Sequence, residues 1–241
     1  MGHMIEEVAR ERGHQIVGVI DPTIDVRSDD VRCTKDGDKV QCAKAPSAIS
    51  FDSEEFRSAD VAIEFTTPAT AKENILRAWA QGVPVISGTT GWKPEELRDE
   101  SLELREVESG KLIVDRNGQV KLVWKSNFSV GVNIFFELNK QLTAAMQSQP
   151  QYTPSIKEIH HIHKLDAPSG TAKTLAEQIM ANGRTANGEC PIESVREGEV
   201  PGTHIVTWDS PEDTIVLTHI AKGRRGFALG AVLAAEEIQK R

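Results

Sequence analysis

The sequence predicts an α/β protein: a parallel-sheet first domain followed by an α+β second domain with a mixed or antiparallel sheet. Three observations carry this. Short apolar runs alternate with helical patterns through the first hundred residues, which implies crossover connections and a parallel sheet. After "SNFSVG" the pattern changes to a long helix, then strands, of which two form an antiparallel pair. The 241 residues, 39% hydrophobic and 27% charged, suffice for two small domains with buried cores.

In chain order, residues 4–12 read as a helix stopping at Gly13, and "QIVGVID" as a short buried strand ending in an acid. The polar, turn-rich "VRCTKDGDKVQCAKAPSAIS" is an excursion with room for one hairpin. "ADVAIEF" is a strand, "TTPAT" caps the amphipathic helix "AKENILRAWAQG", and "VPVIS" is a further strand closed by "GTTGW". "KPEELRDESLELREVESG" reads as a helix with acids in its first turns, where the macrodipole favours them. Asn117-Gly118 between two alternating runs signals a hairpin. Residues 132–147 form a long helix; "SIKEIHHIHK" is a strand and "GTAKTLAEQIM" a helix. "GTHIVTWDS" and "DTIVLTHIAK" pair antiparallel, and "FALGAVLAAEEIQK" closes the chain as a helix. The expected domains are 1–127 and 128–241, with the last helix, about 227–240, packing back on the first domain.

The net charge of −8 argues against a nucleic-acid partner, and no apolar run reaches the 18 residues of a membrane span. Cys33, Cys42 and Cys190 are odd in number and contain no C-x-x-C pair, so neither a disulfide framework nor a thiolate metal site is expected. With no apolar leader at the start, a reduced cytoplasm is the expected compartment.

The chemistry concentrates in "EIHHIHKLDAPSGTA", Glu158 to Ala172. On that strand side chains alternate, so His160, Ile162 and Lys164 share one face and His161 and His163 share the other. His160 and Lys164 then suit proton transfer to a bound ligand. The His161/His163 pair could instead ligate a metal, but no further ligand set completes such a site, and no metal is expected. A single histidine is more often a solvated bystander; the cluster reverses that weighting. Beyond it, Pro168-Ser169 leads into a helix starting at Gly170 or Thr171, whose first N–H groups suit a carboxylate or phosphate. Ser169 alone would be an ordinary N-cap. "FTTP" and "SGTTGW" follow strands of the parallel sheet, where nucleotides bind in open α/β sheets, and Asp21 stands where an acid would hold a ribose hydroxyl. Each loop alone could be a plain turn.

Together these segments resemble the 4-hydroxy-tetrahydrodipicolinate reductase family. Glu158 to Ala172 match its pattern E-x-H-H-x-x-K-x-D-A-P-S-G-T-A at every fixed position, and "FTTP", "GTTG", "SNFSVGVN", "REGEVPGTH" and "GFALGAV" follow in the family's order. The resemblance implies a Rossmann-like first domain and NADH- or NADPH-dependent reduction with loss of water, giving tetrahydrodipicolinate in lysine and diaminopimelate synthesis. It implies His160 as proton donor and acceptor and Lys164 as proton donor. His161, Gly170 and Thr171 would bind the dicarboxylate substrate. Gly88, Thr89 and Thr90 would line the cofactor, with Ser126, Asn127 and Phe128 at the hinge, and the assembly would be a homotetramer. A catalytically silent homologue that binds a dicarboxylate or a partner subunit is the competing reading.

The sequence departs from the family pattern at its start. Members open with a strand and a loop, roughly G-x-x-G-x-M-G, and Met1-Gly2 resemble only its last two residues. A clipped form of a longer enzyme, with a weakened phosphate site, is therefore expected. The segment Thr23 to Ser58 and the "LIVDRNGQVKLVWK" hairpin are longer than expected. Pro22 stands where NADPH-preferring members carry a basic residue, which predicts NADH preference or dual use.

Overall fold

A computed structural model of the chain describes residues 1–21, 31–36, 39–44, 49–97, 100–107, 110–181 and 189–240. They divide into two units. One consists of Gly2–Val107, Lys111–Trp124 and Val232–Arg241; the other is made chiefly of Lys125–Ala231.

The first unit begins with helix α1 (Gly2–Glu11), which buries Ile5, Val8 and Ala9. A hairpin follows, β1 (Val31–Asp36) antiparallel to β2 (Lys39–Lys44), in the stretch expected to hold one. After the short α2 (Glu54–Arg57), capped by the Ser53 hydroxyl, come β3 (Ala62–Glu64), α3 (Pro68–Ala80) and β4 (Val85–Ser87). Pro68 opens α3, where its missing N–H costs nothing, and Thr67 and Thr70 complete a capping box. Strands β5 (Leu102–Val107), β6 (Gly110–Asp115) and β7 (Val120–Lys125) complete a five-stranded sheet of order β3-β4-β7-β6-β5, with β3, β4 and β7 parallel. The expected hairpin joins β6 to β7. The Asp115 carboxylate accepts the N–H groups of Asn117 and Gln119 at 2.9 and 3.0 Å and shapes the turn. Ile75, Val85, Ile113 and Leu122 lie in this unit's core.

Two expectations fail here. The acidic stretch after Trp92 is not a long helix: among its described residues a 3₁₀ turn forms at Pro94–Leu97, and "LELREV" becomes β5. Period two decides it, because Leu102 and Leu104 turn to the core while Glu103 and Arg105 pair outside at 2.7 Å. Nor does "QIVGVID" form a strand. Val19 makes a single bridge, its carbonyl accepting the Ile49 N–H at 3.1 Å. Apolarity gives a segment a reason to be buried, but a ladder needs an adjacent strand.

The second unit packs α4 (Val130–Met146) and α5 (Gly170–Met180) on a four-stranded sheet of β8 (Thr153–His160), β9 (Ile192–Arg196), β10 (Thr203–Asp209) and β11 (Thr214–Ile220). The order is β11-β10-β8-β9; β10 runs antiparallel to both neighbours, whereas β8 and β9 are parallel. Phe136, Ile156, Leu175, Ile179 and Trp208 form its core. The division between units falls within the last helix, α6 (Arg225–Gln239). Among the described residues, no helix is long and apolar enough to cross a membrane.

Candidate active site

Strand β8 buries every second residue: Pro154, Ile156, Glu158 and His160. Ile156 joins the core, so the same alternation carries a carboxylate and an imidazole inward. Register supplies their partners. His204 of β10 lies opposite Glu158, and Arg196 of β9 opposite His160.

The fully buried Glu158 accepts the Ser169 N–H at 3.0 Å and an Arg196 Nη2–H at 3.1 Å, both on Oε1. Burial pushes this carboxyl up, but hydrogen bonding from Ser169, Ser194 and Arg196 outweighs it and holds the group below the usual carboxylate range. Oε2 faces His160 Nδ1 at 3.2 Å and His204 Nε2 at 3.9 Å. Burial pushes both imidazoles down, His204 to about 4, and Lys164 and Arg196 depress His160 further against the pull of Glu158. The His160 and His204 rings meet edge to face, 5.0 Å between centroids.

The strand stops at His160, so the expected alternation of His161, His163 and Lys164 does not occur. They lie in a turn, in which the Lys164 N–H bonds the His161 carbonyl at 3.1 Å. Lys164 Nζ donates to Asp166 at 2.7 Å. His161 is half-buried and its ring stands 6.0 Å from that of the exposed His163. Ser169 does cap α5: its hydroxyl accepts the Ala172 N–H and lies 3.2 Å from His204 Nε2. Gly170 and Thr171 then supply N–H groups that no intrahelical carbonyl reaches. Asn127 reaches this helix start, Nδ2 donating to Thr171 Oγ1 at 3.3 Å, and its Oδ1 accepts the Ser129 N–H at 2.8 Å. Phe128 beside it is buried and Ser126 exposed.

Glu158, His160 and His204 have ligand atoms within 4.8 Å of one another and could hold a metal ion, although Arg196 already places a positive charge on the same carboxylate. The His161/His163 pair is not part of that group.

In the first unit, the loops after β3 and β4 are tied by one side chain. Glu64, at the end of β3, is buried and accepts from the Thr66 N–H at 2.8 Å, the Ser87 hydroxyl at 2.5 Å, the Thr89 hydroxyl at 2.8 Å and the Thr66 hydroxyl. Gly88 has no room for a side chain, because a Cβ would lie 2.2 Å from the Phe65 ring. Thr89 is buried and Thr90 exposed; the Thr89 carbonyl accepts both the Trp92 and Trp124 indoles at 2.8 Å. Asp21 is exposed, and Pro22 lies outside the described residues.

Glu64, Arg196 and His204 were not singled out from the sequence, and Glu158 carried no role. The signal for Glu158 was its place two residues before His160 on one strand face.

Family models match both parts of the chain: "Dihydrodipicolinate reductase, N-terminus" over residues 1–128 and "Dihydrodipicolinate reductase, C-terminus" over residues 131–241. A protein of Christiangramia forsetii named 4-hydroxy-tetrahydrodipicolinate reductase is 40% identical over 248 residues, covering 99% of this chain and 88% of the relative. A protein of the same name from Lawsonia intracellularis is 32% identical over 260 residues, covering 100% and 90%. Among solved structures, the dipicolinate-bound dihydrodipicolinate reductase of Paenisporosarcina sp. TG-14 superposes with TM-score 0.68 at 20% identity, over 99% of this chain and 90% of that one, and shares the fold.

Proposed function

The chain belongs to the dihydrodipicolinate reductase family, and on that premise we propose that it reduces 4-hydroxy-tetrahydrodipicolinate to tetrahydrodipicolinate in lysine and diaminopimelate synthesis. The observation that supports this best is the buried His160 at the end of β8, in a unit where Lys164 and the start of α5 also lie.

NADH or NADPH supplies the hydride when bound. The residues fit such a ligand: the loops follow the carboxyl ends of adjacent parallel strands, and the Thr66, Thr67 and Thr90 side chains are exposed there. Gly88, Thr89 and Thr90 would line the cofactor, as would Ser126, Asn127 and Phe128, and Asp21 would hold a ribose hydroxyl. His160 exchanges the balancing proton, with Lys164 as a second proton donor. The N–H groups of Gly170 and Thr171 take one substrate carboxylate, with His161 beside them.

The active form in this reading is a homotetramer. Edge strand β11 exposes Ile215, Val216 and Ile220, and α4 exposes Ile134 and Leu138, apolar surface that suits a second copy. A cytoplasmic location belongs to the same reading.

The test is NADH consumption with freshly generated substrate. His160→Gln lowers turnover about a hundredfold with a smaller change in KM. Lys164→Ala lowers turnover and raises KM. Parental rates in both variants would overturn the assignment.

A further inference from the structure

Glu158 Oε2 and His160 Nδ1 are both buried, lie 3.2 Å apart, and have no hydrogen-bond partner among the described residues. The pair lies outside hydrogen-bond geometry, but at that separation the charge of the carboxylate favours a proton on Nδ1 over a lone pair facing it. The carboxylate cannot be the protonated member. Its Oε1 already accepts two donors, one from a guanidinium. Arg196 is itself fixed, donating to the carbonyls of Lys164 at 3.3 Å, Val195 at 2.8 Å and Asp166 at 2.5 Å. Its charge therefore stays on Glu158. The proton belongs on Nδ1 of His160, which leaves Nε2 as the exchanging atom.

Gly202 stands beside that atom. A Cβ at this position would come within 3.1 Å of Nε2 and 3.3 Å of Cδ2, and its φ of +151° disfavours any side chain. The flank of Nε2 thus stays open.

We propose that Glu158 is a positioning residue that fixes the Nδ1–H tautomer of His160, so that proton exchange with substrate runs through Nε2, whose flank Gly202 keeps clear. The inference rests on the catalytic reading of His160 given above. The charged and titratable groups around His160 are Glu158 on its own strand, Arg196 on β9, His204 on β10, and Lys164 and Asp166 in the following turn. Glu158 and, more weakly, Asp166 favour the imidazolium; Lys164 and Arg196 oppose it.

The experiment combines nitrogen-15 NMR of the histidine rings with pH–rate profiles of the parent and Glu158→Gln. The parent shows neutral His160 as the Nδ1–H tautomer. In Glu158→Gln the Nε2–H form grows in, turnover falls about a hundredfold with KM changed far less, and the alkaline limb of the profile moves to lower pH because the imidazolium has lost its counter-charge. A purely structural role for Glu158 would move neither tautomer nor limb. An Nε2–H ring in the parent, which requires no variant to fold, overturns the inference, as does an unmoved limb in a folded Glu158→Gln. His160→Gln at parental turnover would instead defeat the catalytic reading, and this inference with it. An inactive His160→Gln beside an Nε2–H parent defeats the inference alone.

Discussion

Glu64 and Glu158 are buried carboxylates at the ends of strands, one in each unit, and they are satisfied in opposite ways. Glu64 accepts from neutral donors on both oxygens, all from its own loop and the ends of β3 and β4. Glu158 is bonded on one oxygen, in part by a guanidinium, and turns the other to an imidazole. A saturated carboxylate has no capacity left for a proton, so it organises; a half-satisfied one keeps an open acceptor where a proton can be held. The difference follows from the donors. Hydroxyls and N–H groups of a strand-end loop can crowd round a carboxylate, whereas β9 and β10 bring Glu158 an arginine and a histidine through register alone.

The largest effect expected from breaking this comparison is on stability. Glu158→Ala leaves Arg196 without its carboxylate and lowers the unfolding free energy by about 3–5 kcal/mol. Glu64→Ala costs about 1–3 kcal/mol, because the Ser87, Thr66 and Thr89 hydroxyls it deserts can rotate to other acceptors. Urea unfolding of the two variants checks the order. A costlier Glu64→Ala would mean that the saturated site, not the charged one, anchors its unit.

Acid sharpens the contrast, because His204, the second imidazole near Glu158, resists protonation. Burial holds His204 at about 4, against about 6.5 for an exposed histidine. As pH falls through 6.5 the unfolded chain takes up this proton and the folded chain does not, so stability is lost between pH 6.5 and about 4. The loss from His204 is about 3 kcal/mol. Glu236, held at about 2 by Arg12 and His14, adds its own loss only below the ordinary glutamate range. His204→Gln flattens the upper part of the unfolding-versus-pH curve and leaves the lower part in place; an unchanged upper slope would remove His204 as its cause.

This contrast also marks what the sequence could tell. Period two and turn chemistry made β8, the β6–β7 hairpin, the β10–β11 pair and the Ser169 cap legible, because each depends on residues close in the chain. The dense motif from Glu158 to Ala172 flagged its own region. Where β8 would stop was not legible, and with it the faces of His161 and Lys164, since the turn after His160 is held by the Gly198 carbonyl, which accepts the Ile162 N–H at 3.1 Å. Arg196 and His204 reach Glu158 only through pairing with β9 and β10, which no local pattern encodes. The β5 error has the same origin in reverse: acids and leucines suit a helix until a neighbouring strand selects the two-residue period.

A smaller effect tests the organising half of the comparison. Glu64→Gln keeps the shape of the side chain but replaces one acceptor oxygen with an NH₂ donor, so a hydroxyl of Ser87 or Thr89 must reverse its bond or lose it. The loops loosen, and NADH binding by titration weakens about tenfold, the worth of roughly one hydrogen bond. Urea unfolding shows a loss of about 1 kcal/mol. Unchanged NADH affinity in a folded Glu64→Gln would leave Glu64 a purely structural group.

The smallest effect comes from the indoles over the same loop. Trp92 and Trp124 both donate to the Thr89 carbonyl, which has two lone pairs, and their rings stand edge to face at 6.5 Å. Trp124→Phe keeps most of the apolar ring and removes one donor while Trp92 still serves the carbonyl, so the cost is about 0.5–1.5 kcal/mol. Thr89 keeps its hydroxyl bond to Glu64 in that variant. NADH affinity therefore falls less in Trp124→Phe than in Glu64→Gln, and a larger fall would place control of the loop with the indoles rather than the carboxylate. The double variant settles the coupling: if Glu64 and the indoles hold the loop independently, their costs add to within about 0.5 kcal/mol, and a markedly smaller sum means that they fix the same backbone conformation.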